Sequence, residues 1–350
     1  MNTGLHIAVP VLAGMGNGLM AQPMVRSLAR GFPGSTVTVY ARNASIAAVF
    51  ERVREVAGVR IYGNEARQFF RLVRDLRAAR ADLCVIPYPS NRWQYSLLAG
   101  LSRAKRVVLH GYEVGRFRAL HGLAKDRVAA VPDGHEVEQN LNLVRYLQGD
   151  PSLQARPPEM RPGLQEMDVA RVQLQALGLD PERTVAVHAG SGKTVFAMSK
   201  RWPAAKFVEV MRHLRDLDLQ PVLLEGPEDA GVADRFAGET VPVLPLLGPL
   251  HEAAAVLAIC RLYIGSDSGL AHLAAAVGTP PVTLFGPARP SEVSPWGFRE
   301  LVVRTPASCA PCFRYPQQST TPRVKCGRPY CVDQIEVVEV MDAVRRGLTR

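Results

Sequence analysis

Asp267, Ser268, Gly269 and His272 set a carboxylate, a hydroxyl, a glycine and an imidazole within a few residues of one another. The apolar run Leu262 to Ile264 ahead of them reads as a buried strand, and Ser268-Gly269 as a tight turn. A helix is expected from about Leu270, ending before Gly278, a typical residue just past a helix C-terminus. A helix that opens directly after a strand aims bare N–H groups and a positive dipole end at whatever lies above the sheet. That suits a phosphate, with Asp267 and His272 placed to hold or polarise polar groups beside it. The plainer reading is an ordinary strand–helix turn with a capping Asp and a packed His.

Three further segments carry compatible chemistry. Gly190-Ser191-Gly192-Lys193-Thr194 ends like a P-loop, but position 187 is Val where that loop needs Gly, which argues against an ATPase. A glycine-rich loop behind a strand can still cradle a phosphate through its backbone, with Ser191 and Lys193 as candidates. The alternative is a flexible connector. Lys200, in Lys200-Arg201-Trp202-Pro203, is a compact cation able to sit against a diphosphate, while Trp202 suits a bulky anchor at a helix start. Glu225-Gly226-Pro227-Glu228 follows a strand, and Glu228 could accept hydrogen bonds from ribose hydroxyls.

Gly14-Met15-Gly16-Asn17-Gly18 follows the first strand. A dinucleotide fingerprint would place its third Gly at position 19, which is Leu, so that reading is weak. Four of the chain's six cysteines, Cys309, Cys312, Cys326 and Cys331, cluster in a C-x2-C and C-x4-C arrangement. That spacing fits a structural Zn or Fe site; reduced thiols and disulfides are the other readings. Cys84 and Cys260 lie in apolar runs and read as small buried hydrophobes.

These segments need a scaffold. At 350 residues the chain suits two domains, and an apolar fraction of 47% supports two cores. The net charge of +10 is spread along the chain rather than gathered in a nucleic-acid motif, and fits phosphorylated substrates. No apolar run is long enough to span a bilayer, and the N-terminus lacks a basic leader, so a cytoplasmic protein is expected, either free or loosely attached to the inner face of the inner membrane. Strands over 7–12, 36–40, 83–87 and 106–109 alternate with helices over 22–31, 46–53, 65–79 and 135–147. Strands over 184–188, 222–224 and 241–246 alternate with a helix after Pro203 and another over 252–259. Such alternation predicts α/β architecture, two doubly wound Rossmann-like domains facing a central cleft. The expected boundaries are 1–155, a proline-rich linker 156–180, 181–335 with the Cys-rich segment 309–331, and a C-terminal helix over 336–350.

The order Asp267 to Ala276, Gly278-Thr279-Pro280-Pro281, Leu284-Phe285-Gly286-Pro287 resembles the donor-site signature of the glycosyltransferase family 9 heptosyltransferases. Lys200-Arg201-Trp202-Pro203 is similar to that family's Lys-x-Trp-Pro motif, and the likeness spans about residues 5 to 345. It implies a GT-B fold and an inverting transfer of heptose, or a related sugar, from an ADP-activated donor to a lipopolysaccharide core hydroxyl. The N-terminal domain would then bind the acceptor and the C-terminal domain the nucleotide-sugar. Ser191, Lys193, Lys200, Ser268, Gly269 and Leu270 would hold the donor diphosphate, Glu228 would meet the nucleotide, and Asp267 and His272 would contact the donor sugar or phosphate. No metal is needed for that chemistry.

The resemblance also implies a general base at the end of the first glycine-rich loop, where the family has Asp. This chain has Asn17, and an amide cannot take up a proton at neutral pH. Asp133, His110 and His135 are the replacement candidates. The alternatives are a catalytically weakened binding or assembly protein, a relative that heptosylates protein hydroxyls, and a nucleotide-sugar epimerase of similar fold. Some family members carry a Cys-rich segment in the same place, and relatives that modify autotransporter proteins have a metal-binding version.

Overall fold

The computed structural model describes residues 4–63, 65–112, 126–192, 194–313 and 330–350. These fall into two units, one up to Pro158 and the other from Glu159 onward. The first alternates β1 (His6–Val11), α1 (Met15–Gly31), β2 (Thr36–Ala41), α2 (Ala44–Glu51), β3 (Gly58–Ile61), α3 (Ala66–Ala79), β4 (Leu83–Val85) and α4 (Trp93–Leu101). It continues with β5 (Arg106–Gly111), β6 (Asp126–Ala129) and α5 (Glu136–Gln148). Its sheet is wholly parallel, in the order β3-β2-β1-β4-β5-β6.

The second unit runs α6 (Leu164–Ala176), β7 (Thr184–His188), α7 (Val195–Met198), α8 (Ala204–Asp216), β8 (Gln220–Glu225), β9 (Val243–Pro245) and α9 (Leu250–Ile259). Then come β10 (Leu262–Ser266), α10 (Gly269–Val277), β11 (Pro281–Phe285), α11 (Pro290–Val293), β12 (Val302–Arg304) and α12 (Val337–Leu348). The parallel order is β12-β11-β10-β7-β8-β9. Counted from its own first strand, this is the topology of the first unit. Each sheet therefore reverses direction between its first and fourth strands, at β1/β4 and at β7/β10. The crevice outside the carboxyl ends of such a pair is where doubly wound sheets bind ligands.

The central strands are continuous apolar runs because helices cover both faces of each sheet. Ile7, Ala8 and Val9 of β1, Val185, Ala186 and Val187 of β7, and Leu262, Tyr263 and Ile264 of β10 are fully buried. In the second unit the indole of Trp202 is fully buried, edge-on to Phe207 at 5.0 Å, with Nε1 donating to Ile335 O at 3.1 Å. It anchors the start of α8 to the segment leading into α12.

Two stretches differ from the sequence expectation. Helix α1 begins at Met15 rather than Gln22, taking in most of the glycine-rich run expected as a loop. Asn17 Oδ1 accepts the Gly14 N–H at 3.0 Å, closing the first turn, and Leu19, Met20, Met24, Val25 and Leu28 bury the helix face around the internal Pro23. Within the expected linker, residues 156–180, the chain forms α6, whose Ala170 and Leu174 are buried. With so few buried positions its helical pattern is thin in sequence, and the prolines ahead of it mask the start.

Candidate functional site

Both carboxyl-edge switch points are occupied by the residues singled out from sequence. In the second unit β7 ends at His188 and the chain turns through Gly190-Ser191-Gly192. The loop is held by Asp229, which follows Glu228 in the turn after β8. Asp229 Oδ1 accepts the backbone N–H groups of Ser191 and Gly192, each at 2.9 Å, and Oδ2 lies 2.8 Å from His188 Nε2. Burial alone would raise the Asp229 carboxyl, but His188 and the two loop amides outweigh it and hold the group down at about 2. Position 190 must be glycine, since a Cβ there would fall 2.2 Å from the Asp229 carboxyl carbon. Gly192 has φ +87°, a conformation other residues rarely adopt. A Cβ on Gly192 would sit 3.4 Å from Glu228 Oε2, which places the exposed Glu228 carboxylate beside the loop.

At the end of β10, Asp267 meets Lys200, with Nζ 2.6 Å from Oδ2 and 3.4 Å from the Asp267 carbonyl oxygen. The ammonium also lies 4.5 Å from the centre of the Phe196 ring. Both side chains are largely buried, at 15% and 8% exposure, so the pair is well shielded from water. Directly after Asp267, Ser268 occupies the N-cap position of α10 without a side-chain capping bond, and Ser268, Gly269 and Leu270 remain half-exposed at the helix N-terminus. His272 is buried one turn further along.

Buried side chains join the two loops. The Tyr263 hydroxyl lies 3.3 Å from His188 Nδ1 and 3.4 Å from Ser268 Oγ, completing a run from Ser268 through Tyr263 and His188 to Asp229. Arg201 Nη2 donates to Gly192 O at 2.8 Å and lies 3.5 Å from Asp229 Oδ1. The structure thus sets Ser191 and Glu228 in adjoining turns, pairs Lys200 with Asp267, and links the turns to Ser268 at the start of α10 through His188 and Tyr263. Lys193 lies outside the described residues. Sequence reasoning missed Asp229, His188 and Tyr263. Asp229 could have been flagged as the second acid of a Gly-Pro-Glu-Asp turn, while Tyr263 and His188 looked like ordinary strand residues.

In the first unit, Asn17 lies in the first turn of α1 beside a recess lined by Pro10, Val11, Leu12, Ala13, Pro87, Tyr88, Pro89 and Tyr95. Its Nδ2 donates to Glu136 Oε1 at 2.8 Å and Oε2 at 2.9 Å. Glu136 opens α5 and is fully buried, which pushes its carboxyl up to about 8 against the Asn17 hydrogen bonds that favour the anion. The replacement candidates sit differently. His110 is fully buried, its ring nitrogens 3.2 Å and 2.9 Å from the carbonyl oxygens of Val128 and Gln139, and burial lowers its pKa to about 4. His135 caps α5, accepting the Val137 N–H at 3.2 Å. Asp133 occupies a turn with φ +57°.

Among the described residues, no group of His, Cys, Asp and Glu is arranged to hold a metal ion. Cys326 lies outside them. Cys309 is exposed, Cys312 and Cys331 are half-buried, and none of these three is in a disulfide. The expected four-thiol metal site therefore has no counterpart among the described residues. Nor is any described helix long and apolar enough to cross a membrane.

The paired doubly wound units, each with polar side chains at its switch point, define the class: the GT-B architecture of nucleotide-sugar glycosyltransferases. The profile of glycosyltransferase family 9 (heptosyltransferase) matches residues 69–321. The chain belongs to that family and is a glycosyltransferase of heptosyltransferase type. Lipopolysaccharide heptosyltransferase 3 of Escherichia coli is 27% identical over 288 residues, covering 77% of this chain and 80% of that protein. Among solved structures, a family 9 glycosyl transferase from Veillonella parvula superposes with a TM-score of 0.81 at 20% identity, covering 99% of this chain and 97% of the other. The ADP-heptose lipopolysaccharide heptosyltransferase II of E. coli superposes with a TM-score of 0.74 at 21% identity, covering 99% of each chain.

Proposed function

We propose that this glycosyltransferase moves heptose, with inversion, from ADP-heptose to a hydroxyl of a lipopolysaccharide core. The observation that carries this reading is the Lys200–Asp267 pair set against the exposed N-terminus of α10. A diphosphate placed there would meet an ammonium, the amides of Ser268, Gly269 and Leu270, and the positive end of the helix. These donors are held in place before the substrate arrives, the condition under which they stabilise negative charge developing on a departing diphosphate.

The other roles follow from position and chemistry. Ser191, in the loop tied down by Asp229, and Lys193, next in sequence to that loop, complete the diphosphate cradle. Glu228 accepts from the ribose hydroxyls of the nucleotide. Asp267 has a second carboxylate oxygen besides the one facing Lys200 and takes a sugar hydroxyl, and His272 supports the same turn. Asn17, on the wall of the recess in the first unit, marks where the acceptor hydroxyl approaches. Similarity to the E. coli ADP-heptose heptosyltransferase II supports ADP-heptose as donor, and similarity to lipopolysaccharide heptosyltransferase 3 supports a lipopolysaccharide acceptor.

The test is a transfer assay with ADP-heptose and heptose-deficient lipopolysaccharide, with the product's anomeric configuration read by NMR. Transfer with inversion is expected. Failure to transfer heptose while another nucleotide-sugar is turned over would overturn the donor assignment.

A further inference from the structure

We propose that the proton-accepting carboxylate of this chain is Glu136, on α5, with Asn17 as the residue that positions and covers it. This assignment rests on the transferase reading above. The substitution at position 17 removes a base from α1, but the structure places another carboxyl one hydrogen bond away. Asn17 Nδ2 donates to both Glu136 oxygens, at 2.8 Å and 2.9 Å. The Gly14 N–H fixes the other end of the amide, because only Oδ1 can accept it. The amide nitrogen therefore faces Glu136.

Glu136 is fully buried, and among the described residues no Lys or Arg forms an ion pair with it. An unpaired buried carboxyl is costly to keep and marks a functional candidate. Its position at the first residue of α5 gives the anion the favourable end of a helix dipole. Among the described residues Tyr95 and Tyr112 feel the Glu136 charge, Tyr95 also feels the Arg92 and Arg42 charges, and burial raises both phenols. Both remain protonated as Glu136 changes charge. Burial that brings the carboxyl near neutrality also suits a general base, which works best close to the operating pH. His110, by contrast, is enclosed between two carbonyls in the core.

Asn17 lines the recess with Pro10, Leu12, Pro87 and Tyr88, and its amide nitrogen holds Glu136, which is not itself part of the lining. As it stands the recess has no room for a water molecule and Glu136 is sealed from solvent, so an acceptor hydroxyl reaches the carboxylate only by displacing the Asn17 amide and replacing Nδ2 as its donor. In the transfer, the hydroxyl oxygen bonds to the anomeric carbon as the bond from that carbon to the β-phosphate oxygen breaks. The electron pair leaves with ADP, and the hydroxyl proton passes to the Glu136 carboxylate. The pairing also gives a reason for Asn at 17: Asp there would set two carboxylates in contact, able to ionise only one at a time.

The experiment compares wild type, Glu136→Gln and the swapped double variant Asn17→Asp/Glu136→Gln, with folding checked by thermal melts and ADP-heptose affinity by calorimetry. The double variant keeps a carboxylate–amide hydrogen bond and guards against a simple folding defect. Glu136→Gln is expected to lose about 100-fold or more in kcat with unchanged ADP-heptose affinity, the range for removal of a general base. The swap is expected to recover most of that loss. Glu136→Gln turning over like wild type, or a folded double variant no faster than the single, would overturn the assignment. A wild-type protein that binds but never transfers heptose would overturn the transferase reading, and this inference with it.

Discussion

Asp229 binds two chain segments at once: one carboxylate oxygen takes the Ser191 and Gly192 amides, each at 2.9 Å, and the other lies 2.8 Å from His188 Nε2. The turn after β8 is thereby locked to the loop after β7. Through Tyr263 the same run of contacts reaches Ser268 at the start of α10. The two backbone segments proposed to meet the donor are joined by one polar network, and half-satisfied networks of this kind are costly.

Asp229→Asn should therefore release the glycine-rich loop without touching substrate. Charged hydrogen bonds of this sort contribute about 1.5–3 kcal/mol each, so a drop of about that size in unfolding free energy is expected by denaturant titration. KM for the donor should rise more than kcat falls, because the loop's position is lost while Lys200 and α10 remain. The sign of the pH effect follows from a carboxyl held at about 2 against an ordinary 3.8. Its contribution is complete above the ordinary value and is lost as pH falls through about 2. Acid unfolding of wild type should show that loss, and the Asn variant should lack it.

Glu136 gives the opposite sign. Its carboxyl is raised from 4.5 to about 8 in the folded chain. The group's contribution is complete below 4.5 and is lost as pH rises through about 8, since the unfolded chain releases the proton first. Melting temperature followed across this window should fall for wild type and change less for Glu136→Gln. Parallel curves for the two proteins would contradict the placement of this carboxyl.

Trp202 separates packing from binding. The buried indole packs edge-on to Phe207 and donates to Ile335 O, the contacts of a helix anchor. Trp202→Ala should cost about 3–5 kcal/mol, the usual range for deleting a large core aromatic. Donor affinity measured on the folded fraction should stay close to wild type. A selective loss of affinity with little loss of stability would assign the residue to the site instead.

The doubly wound architecture was legible because buried parallel strands such as Val185-Ala186-Val187 are unbroken apolar runs, and the Asp267–His272 turn because a helix follows a strand there without a loop. Lys200 and Asp267 could be named separately from their motifs, but their 2.6 Å contact joins residues 67 positions apart and is set by the sheet. Asp229 and Glu136 were hidden for a related reason. Each looks like an ordinary acid beside a turn or at a helix start, and only the fold shows that one gathers backbone amides and the other lies against Asn17. Helix α6 was missed because only Ala170 and Leu174 are buried along it.

The central claim is that the Lys200–Asp267 pair and the N-terminus of α10 form a diphosphate-sugar site, and calorimetric titration of wild type, Lys200→Ala and Asp267→Ala with ADP-heptose tests it most directly. Wild type should bind, and Lys200→Ala should lose about 10- to 100-fold in affinity, as expected for removal of a charged hydrogen bond to phosphate. Asp267→Ala should weaken ADP-heptose more than ADP, because its carboxylate is assigned to the sugar. Unchanged ADP-heptose affinity in a folded Lys200→Ala protein would contradict the account.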